Sequence, residues 1–264
     1  MILFTDIWKA LILGIVEGIT EFLPVSSTGH LILAGSLLSF TGERAKVFDI
    51  FIQLGAIFAV VWIYRKKLIS VIENLGSAES RRFTGNLFTA FLPAAIIGLL
   101  MHTWIKAYLF NNLAVASAFI LGGILILIIE RKIKNPKISD LDNMSPRLAL
   151  GVGLAQVLSL FPGISRSGAT IMGGLVLGLN RKTATEFSFF LAIPTMFAAT
   201  LYDLIKGIKH LGIPDSPVFA AGFIISFISA LFVIKTFLRF VARHDFAIFG
   251  YYRIIFGLLI LLLI

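Results

Sequence analysis

The side chains best suited to chemistry gather at two breaks in an otherwise apolar sequence. The first break reads Pro24-Val25-Ser26-Ser27-Thr28-Gly29-His30, and Glu17 and Glu21 precede it. The second reads Pro162-Gly163-Ile164-Ser165-Arg166-Ser167-Gly168-Ala169-Thr170. Glu17 and Glu21 are four apart, so on a helix both project from one face. Two carboxylates at membrane depth are costly and repel each other. A divalent cation would relieve both problems, because hard cations take carboxylate and phosphate oxygens together. A shared proton would do the same and leave one carboxylate as a general base.

Ser26, Ser27 and Thr28 suit a helix N-terminus, where capping alone accounts for one of them. His30 beside them adds a candidate base for a serine nucleophile. Arg166 is read as the only Lys or Arg inside a break. Its guanidinium suits bidentate phosphate recognition. Ser165, Ser167 and Thr170 add hydroxyl groups, and Gly163 and Gly168 let backbone N–H groups approach a ligand. The helix that begins here adds its positive end. A salt bridge from Arg166 to Glu17 or Glu21 is the purely structural alternative. Together the breaks make a site for a phosphate ester or diphosphate whose apolar remainder lies in lipid, and attack on phosphorus uses every part of it.

The elements that must position these groups follow from hydropathy. Ten apolar segments run near 7–23, 30–40, 48–64, 86–101, 113–130, 147–161, 169–179, 185–204, 217–238 and 247–264. Segments 30–40 and 169–179 have eleven residues each. At about 1.5 Å per residue that is roughly half a hydrocarbon core. Irregular backbone at membrane depth survives only inside protein or beside a wet cavity. The expected fold is therefore all-α and polytopic, with six transmembrane helices and two re-entrant helical hairpins, 7–40 and 147–179. The 65–85 stretch is expected as a polar loop with an interfacial helix, and 86–101 as a short span. Asp49 and Glu186 are expected to start spanning helices.

The hairpins resemble each other. Gly14, Pro24 and Ser26-Ser27-Thr28-Gly29 match Gly153, Pro162 and Ser165-Arg166-Ser167-Gly168 at a shift near 138. Three spans separate them, so they enter from opposite faces, the inverted-repeat plan of many transporters. The chain then reads as one integral membrane domain, 1–264, with halves 1–130 and 147–264. Basic residues orient it. Fifteen Lys and Arg fall in loops on one side and seven on the other, among them Lys9, Arg44, Lys46, Lys106, Lys206, Lys209 and Arg253. The richer side is cytoplasmic, which puts both termini and the first hairpin outside.

Composition excludes much else. Apolar residues make up 58% of the 264 residues and charged residues 14%, with mean hydropathy +0.96. A soluble shell cannot be built from so few charges. The net charge of +9 sits in short runs between apolar stretches, such as Arg65-Lys66-Lys67, which argues for loops rather than nucleic-acid binding. The absence of cysteine removes disulfides, thiolate metal sites and Cys nucleophiles. The start of the chain lacks the positive n-region of a secretory signal, so its first apolar segment is read as part of the mature protein. His102, His210 and His244 are expected at segment ends, and Trp8, Trp62 and Trp104 in an aromatic belt.

Glu17-Gly-Ile-Thr-Glu21-Phe-Leu-Pro-Val-Ser-Ser-Thr-Gly-His30 and Pro162-Gly-Ile-Ser-Arg-Ser-Gly-Ala-Thr170 resemble the two signature motifs of the undecaprenyl-diphosphate phosphatases, the bacterial bacitracin-resistance family. The similarity extends over the whole chain, including Phe48 to Ala56 and Glu186 to Pro194, and no motif position departs from the pattern. The resemblance implies removal of the terminal phosphate of undecaprenyl diphosphate, which recycles the lipid carrier of cell-wall synthesis. It also implies a divalent cation (Mg²⁺ or Ca²⁺), a multi-pass protein of the bacterial plasma membrane, and a site open to the outer face. Its implied fold is the one derived above.

On the cluster, Ser27 attacks phosphorus and Glu21 or His30 takes its proton. Arg166 and the N–H groups near Ser165 to Gly168 hold phosphate oxygens with Ser26, Thr28, Ser167 and Thr170. Glu17 and Glu21 position the metal. His30 as nucleophile is the competing assignment, and a transporter or flippase of a lipid phosphate is the competing function. The expected partners are a lipid diphosphate and bilayer lipid; the sequence leaves a homodimer open.

Overall fold

A computed structural model of the chain describes residues 2–108, 111–133, 136, 138–207 and 216–263. Lys134, Lys137, Lys209 and His210, and the side chains of His102, Lys106 and Lys206, lie outside the described residues. The described residues are helical throughout, apart from turns and one isolated bridge between Ile138 and Leu179. Among the described residues eleven α-helices follow one another: α1 (Ile2–Thr20), α2 (Ser27–Leu37), α3 (Glu43–Ile63), α4 (Arg65–Glu73), α5 (Ala78–Tyr108), α6 (Asn112–Lys132), α7 (Pro146–Val157), α8 (Arg166–Val176), α9 (Arg181–Gly207), α10 (Ser216–Val241) and α11 (Ala247–Leu263). Five of them, α3, α5, α6, α9 and α10, are long and apolar enough to cross a membrane.

The sequence places the elements well and their ends less well. Helix α5 runs 31 residues rather than the short span expected at 86–101. Its first turns take up the polar 78–85 stretch, and α4 occupies the rest of the expected loop. Likewise α3 begins at Glu43, so Asp49 sits almost two turns inside it, and Glu186 is a full turn inside α9. A helix starts where backbone donors find partners, not where hydropathy rises. Side-chain caps set two later starts. Asn111 accepts from the Ala114 N–H at 2.8 Å and opens α6, and Ser145 with Pro146 opens α7.

Helices α2 and α8 each have eleven residues, as expected, but each begins three residues before the apolar pattern. Each is about 16 Å long, about half the hydrocarbon thickness. The packing interleaves the first and second parts of the chain. Helix α1 lies along α10, α7 along α5, α3 along α9, and α6 along α11. Close approach explains several glycines. A Cβ on Gly55 or Gly222 has no room at the α3–α10 contact, where the Ser226 hydroxyl donates to the Ile52 carbonyl at 2.9 Å. The main core gathers Phe22 with residues of α3, α7, α8, α9 and α10 around the two breaks. Trp8, Trp62 and Trp104 are exposed, as an aromatic belt requires.

Candidate active site

The loop between α1 and α2 and the loop between α7 and α8 meet inside the bundle. Ser167 Oγ donates to the Leu23 carbonyl at 2.7 Å, and Ser165 Oγ lies 2.9 Å from Ser167 Oγ. Ser165 also caps α8 by accepting from the Gly168 N–H at 3.0 Å. Thr170 Oγ1 donates back to the Arg166 carbonyl and lies 2.7 Å from Ser188 Oγ. The second-break hydroxyls therefore tie one break to the other and to α9. Thr28 is half-buried and outside this network among the described residues.

Two of the expected site residues, Ser27 and Arg166, meet at a third, Glu21. Ser27, the first residue of α2, donates its hydroxyl hydrogen to Glu21 Oε2 at 2.5 Å. Arg166 Nη2 donates to Glu21 Oε1 at 3.0 Å, and its Nη1 donates to the Ser188 carbonyl at 3.1 Å. The guanidinium lies 5.6 Å from the centre of the Phe22 ring. Ser27 and Glu21 are buried and the Arg166 side chain is only 10% exposed, so little water screens the chain of bonds. The salt bridge that is the structural alternative for Arg166 is thus made, to Glu21.

Glu17 is different. It is fully buried, and neither carboxylate oxygen has a hydrogen-bond partner. An unpaired carboxylate in a dry interior is expensive, and a hard cation is a fitting partner for it. Among the described residues no three acidic or His side chains gather as a metal cluster. A cation here would draw its remaining ligands from substrate oxygens or water.

His30 does not face Ser27. Its Nδ1 lies 2.7 Å from the Ser26 carbonyl, which can only accept, so Nδ1 carries the hydrogen. Its Nε2 then accepts from the Tyr252 hydroxyl at 2.6 Å. The ring stacks on Phe256 with centroids 4.2 Å apart. Ser26 is held at φ 69°, a left-handed conformation that costs a serine of order 1–3 kcal/mol. The His30 bond to its carbonyl fixes that turn, and the turn presents Ser27. Ser26 occupies the cap position of α2 without making a side-chain cap bond.

Sequence reasoning misplaced Arg253. Counted among outside basic residues, it is only 2% exposed. It donates to the carbonyls of Ala118 and Gly163 at 2.9 Å each and of Pro24 at 3.4 Å. One guanidinium thus joins both breaks to α6. A lone Arg in the middle of an apolar helix is a functional candidate by default, and that signal was present in the sequence. Tyr252 gave no comparable signal, because interfacial tyrosines are common in membrane proteins.

The family described as bacitracin resistance protein BacA has a model that matches residues 10–259. The chain is 59% identical over 254 residues to a protein of Nitrosomonas europaea named undecaprenyl-diphosphatase, covering 96% of this chain and 93% of that one. Proteins of the same name from Methylobacillus flagellatus and Methylococcus capsulatus are 57% and 55% identical, over 96% and 98% of this chain and 96% and 95% of theirs.

Proposed function

The chain belongs to the bacitracin resistance protein BacA family, and on that premise we propose that it hydrolyses undecaprenyl diphosphate to undecaprenyl phosphate and inorganic phosphate, an activity that confers bacitracin resistance. The observation that carries the reading is the buried Ser27–Glu21–Arg166 chain at the junction of the two breaks. It places a hydroxyl, a proton acceptor and a phosphate-binding cation within one site.

Ser27 Oγ attacks the terminal phosphorus as Glu21 takes its proton. The bond from phosphorus to the bridging oxygen breaks, and undecaprenyl phosphate leaves, taking the proton from Glu21. A water molecule then attacks the phosphoserine, with Glu21 accepting its proton. The phosphorus–Oγ bond breaks, the proton returns to Ser27, and phosphate departs. Arg166 steadies the charge on the phosphoryl oxygens, a role worth roughly 10²–10³-fold in rate. His30 acts through the backbone, by holding the Ser26 turn, rather than as nucleophile or base. Glu17, with Glu21, would hold a divalent cation, which supplies charge neutralisation for the diphosphate.

The architecture that serves this chemistry is six spanning helices and two re-entrant hairpins, α1–α2 and α7–α8, in an inverted repeat with halves 1–130 and 147–264. The crosswise packing of α1 on α10 and of α7 on α5 supports it. The protein lies in the plasma membrane with its site toward the outer face. Removing Arg253 from the outside tally leaves 7 − 1 = 6 outside basic residues against fifteen inside, which sharpens the bias.

The test is phosphate release from undecaprenyl diphosphate by the purified protein, with Mg²⁺ or Ca²⁺ and with chelator. Cation-dependent release by the parent, and an acid-stable, base-labile phosphoryl adduct trapped on the protein, are expected. An acid-labile adduct overturns the serine assignment. Lipid movement across vesicles without any release assigns the site to transport instead.

A further inference from the structure

A second polar constellation lies at the other end of α8 from the breaks. A cavity of about 350 Å³ sits where α6 and α10 end and α9 begins. Glu130, Asn180, Arg181 and Lys182 supply its polar lining. Ile133, Leu175 and Val241 give it an apolar wall. Leu175 stands nine residues along α8 from Arg166, so about 14 Å of helix separates the cavity from the second break. None of its residues takes part in the hydrolysis described above.

The arginine of this cavity is held in place. Glu130 Oε1 accepts from Arg181 Nε at 3.1 Å, and Oε2 accepts from Nη2 at 2.5 Å. Oε1 also accepts from the Phe246 N–H at 2.9 Å, so both carboxylate oxygens are occupied. The Glu130 side chain is 5% exposed and that of Arg181 is 39% exposed. A carboxylate that grips one edge of a guanidinium fixes its plane and leaves the third nitrogen uncommitted. Among the described residues Arg181 Nη1 has no hydrogen-bond partner and Lys182 makes no ion pair. Of the neighbouring carboxylates, Asp245 accepts from the Ala247 N–H at 3.1 Å, and Glu186 lies a turn farther along α9 and outside the lining. The exposed Arg131, Lys132 and Arg243 add positive charge at the same helix ends. A fixed guanidinium, an uncommitted ammonium and an apolar wall together select an anion with an apolar remainder. A phosphodiester head group on glycerol has that character. The cavity is at the small end of ligand sites, with room for a head group but not for two acyl chains. The basic-residue bias turns this end of the molecule toward the cytoplasmic leaflet, which is anionic.

We propose that the cavity bounded by Glu130, Arg181 and Lys182 binds a phosphate group, presented by an acidic phospholipid of the inner leaflet, as a site separate from the one that carries hydrolysis. Arg181 and Lys182 hold the phosphate, and Glu130 orients Arg181. The lipid source rests on the orientation given above, whereas phosphate binding depends neither on it nor on hydrolysis. The ligand joins α6, α8, α9 and α10, so its binding stabilises the folded molecule by mass action.

The experiment titrates the full-length protein in neutral detergent with phosphatidylglycerol, with phosphatidylcholine and with inorganic phosphate. Binding is read by native mass spectrometry and by the unfolding midpoint. R181K keeps the charge and removes the fork, K182M removes the exposed ammonium, and R166A removes the cation of the second break. The expected result is one tightly bound phosphatidylglycerol that raises the midpoint, with phosphatidylcholine bound at least about ten-fold more weakly. R181K and K182M should each weaken phosphatidylglycerol binding by about ten-fold, as loss of a charge-assisted hydrogen bond does, while R166A leaves it within about two-fold. Affinity unchanged in both R181K and K182M overturns the proposal, and so does equal binding of the two lipids. Loss in R166A alone assigns the lipid to the second break and overturns it as well. If R181K does not fold, K182M, at an exposed position, decides the matter by itself. Inorganic phosphate that binds with the same losses in R181K and K182M, while phosphatidylglycerol does not bind, keeps the phosphate site and overturns its lipid source. None of these measurements reads phosphate release, so the cavity and the hydrolysis reading fail separately.

Discussion

Glu21 makes two contacts at once: it accepts the hydrogen bond of the Ser27 hydroxyl and it pairs with Arg166. Shortening or neutralising it should harm both. Glu21→Gln is expected to lower kcat by about 10²–10⁴-fold, and Ser27→Ala by at least about 10³-fold, in steady-state phosphate release. Combining the two should cost little more than either alone, because residues that act as a unit are not additive. Glu17 makes a different prediction, since its oxygens are unpartnered. Glu17→Gln should raise the cation concentration needed for half-maximal activity by roughly 10–100-fold, read from a Mg²⁺ or Ca²⁺ titration. Equal activity at every cation concentration would exclude Glu17 as a metal ligand. At this scale the sequence was most informative. An acidic pair and an arginine inside apolar segments have few structural explanations, and two of those residues do meet. Direction was not legible: nothing in Ser26 to His30 tells that His30 turns to Ser26 and Tyr252 rather than to Ser27.

At the scale of elements, α11 acts as a strut. Arg253 reaches past Gly122 of α6, where an added Cβ would lie 2.5 Å from its Nη2. Gly122→Leu should push the guanidinium off the carbonyls of Pro24, Ala118 and Gly163. Overpacking of this kind costs typically about 1–3 kcal/mol. Arg253→Met should cost at least as much, because it strands buried carbonyls, each worth about 1–3 kcal/mol. A lowered unfolding midpoint in detergent for both variants is the expected outcome, with activity falling further than stability because both breaks shift together. A midpoint equal to the parent's would contradict the strut. Element positions were readable from hydropathy, but their ends were set by caps such as Ser165 and Asn111 and by helices that continue into polar sequence, as α5 does.

For the whole molecule, orientation is the open quantity with a simple readout. The chain has no cysteine, so single substitutions can report on sidedness without further engineering. Lys67→Cys in α4 should react with an impermeant maleimide only after the cytoplasmic side is opened. Lys46→Cys at the start of α3 should react in intact cells, because the basic-residue bias places it outside. The reverse pattern would turn the molecule over and move the site to the inner face.

Composition and hydropathy alone fix the class of molecule and single out the ionisable groups at the two breaks. Too few charges rule out a soluble fold, eleven-residue apolar segments are too short to span, and ionisable residues in apolar surroundings mark themselves by their cost. Tertiary structure decided which of those groups meet. The bond between Ser27 and Glu21 joins residues six apart, but that from Arg166 to Glu21 joins residues 145 apart, and that from Arg253 to Pro24 joins residues 229 apart. Such pairings depend on how helices from the two parts of the chain interleave, and no local pattern of side chains encodes them. The cavity beside Arg181 has the same origin. Its residues come from α6, α8, α9 and α10, are ordinary singly, and become a cavity only when packing sets them face to face.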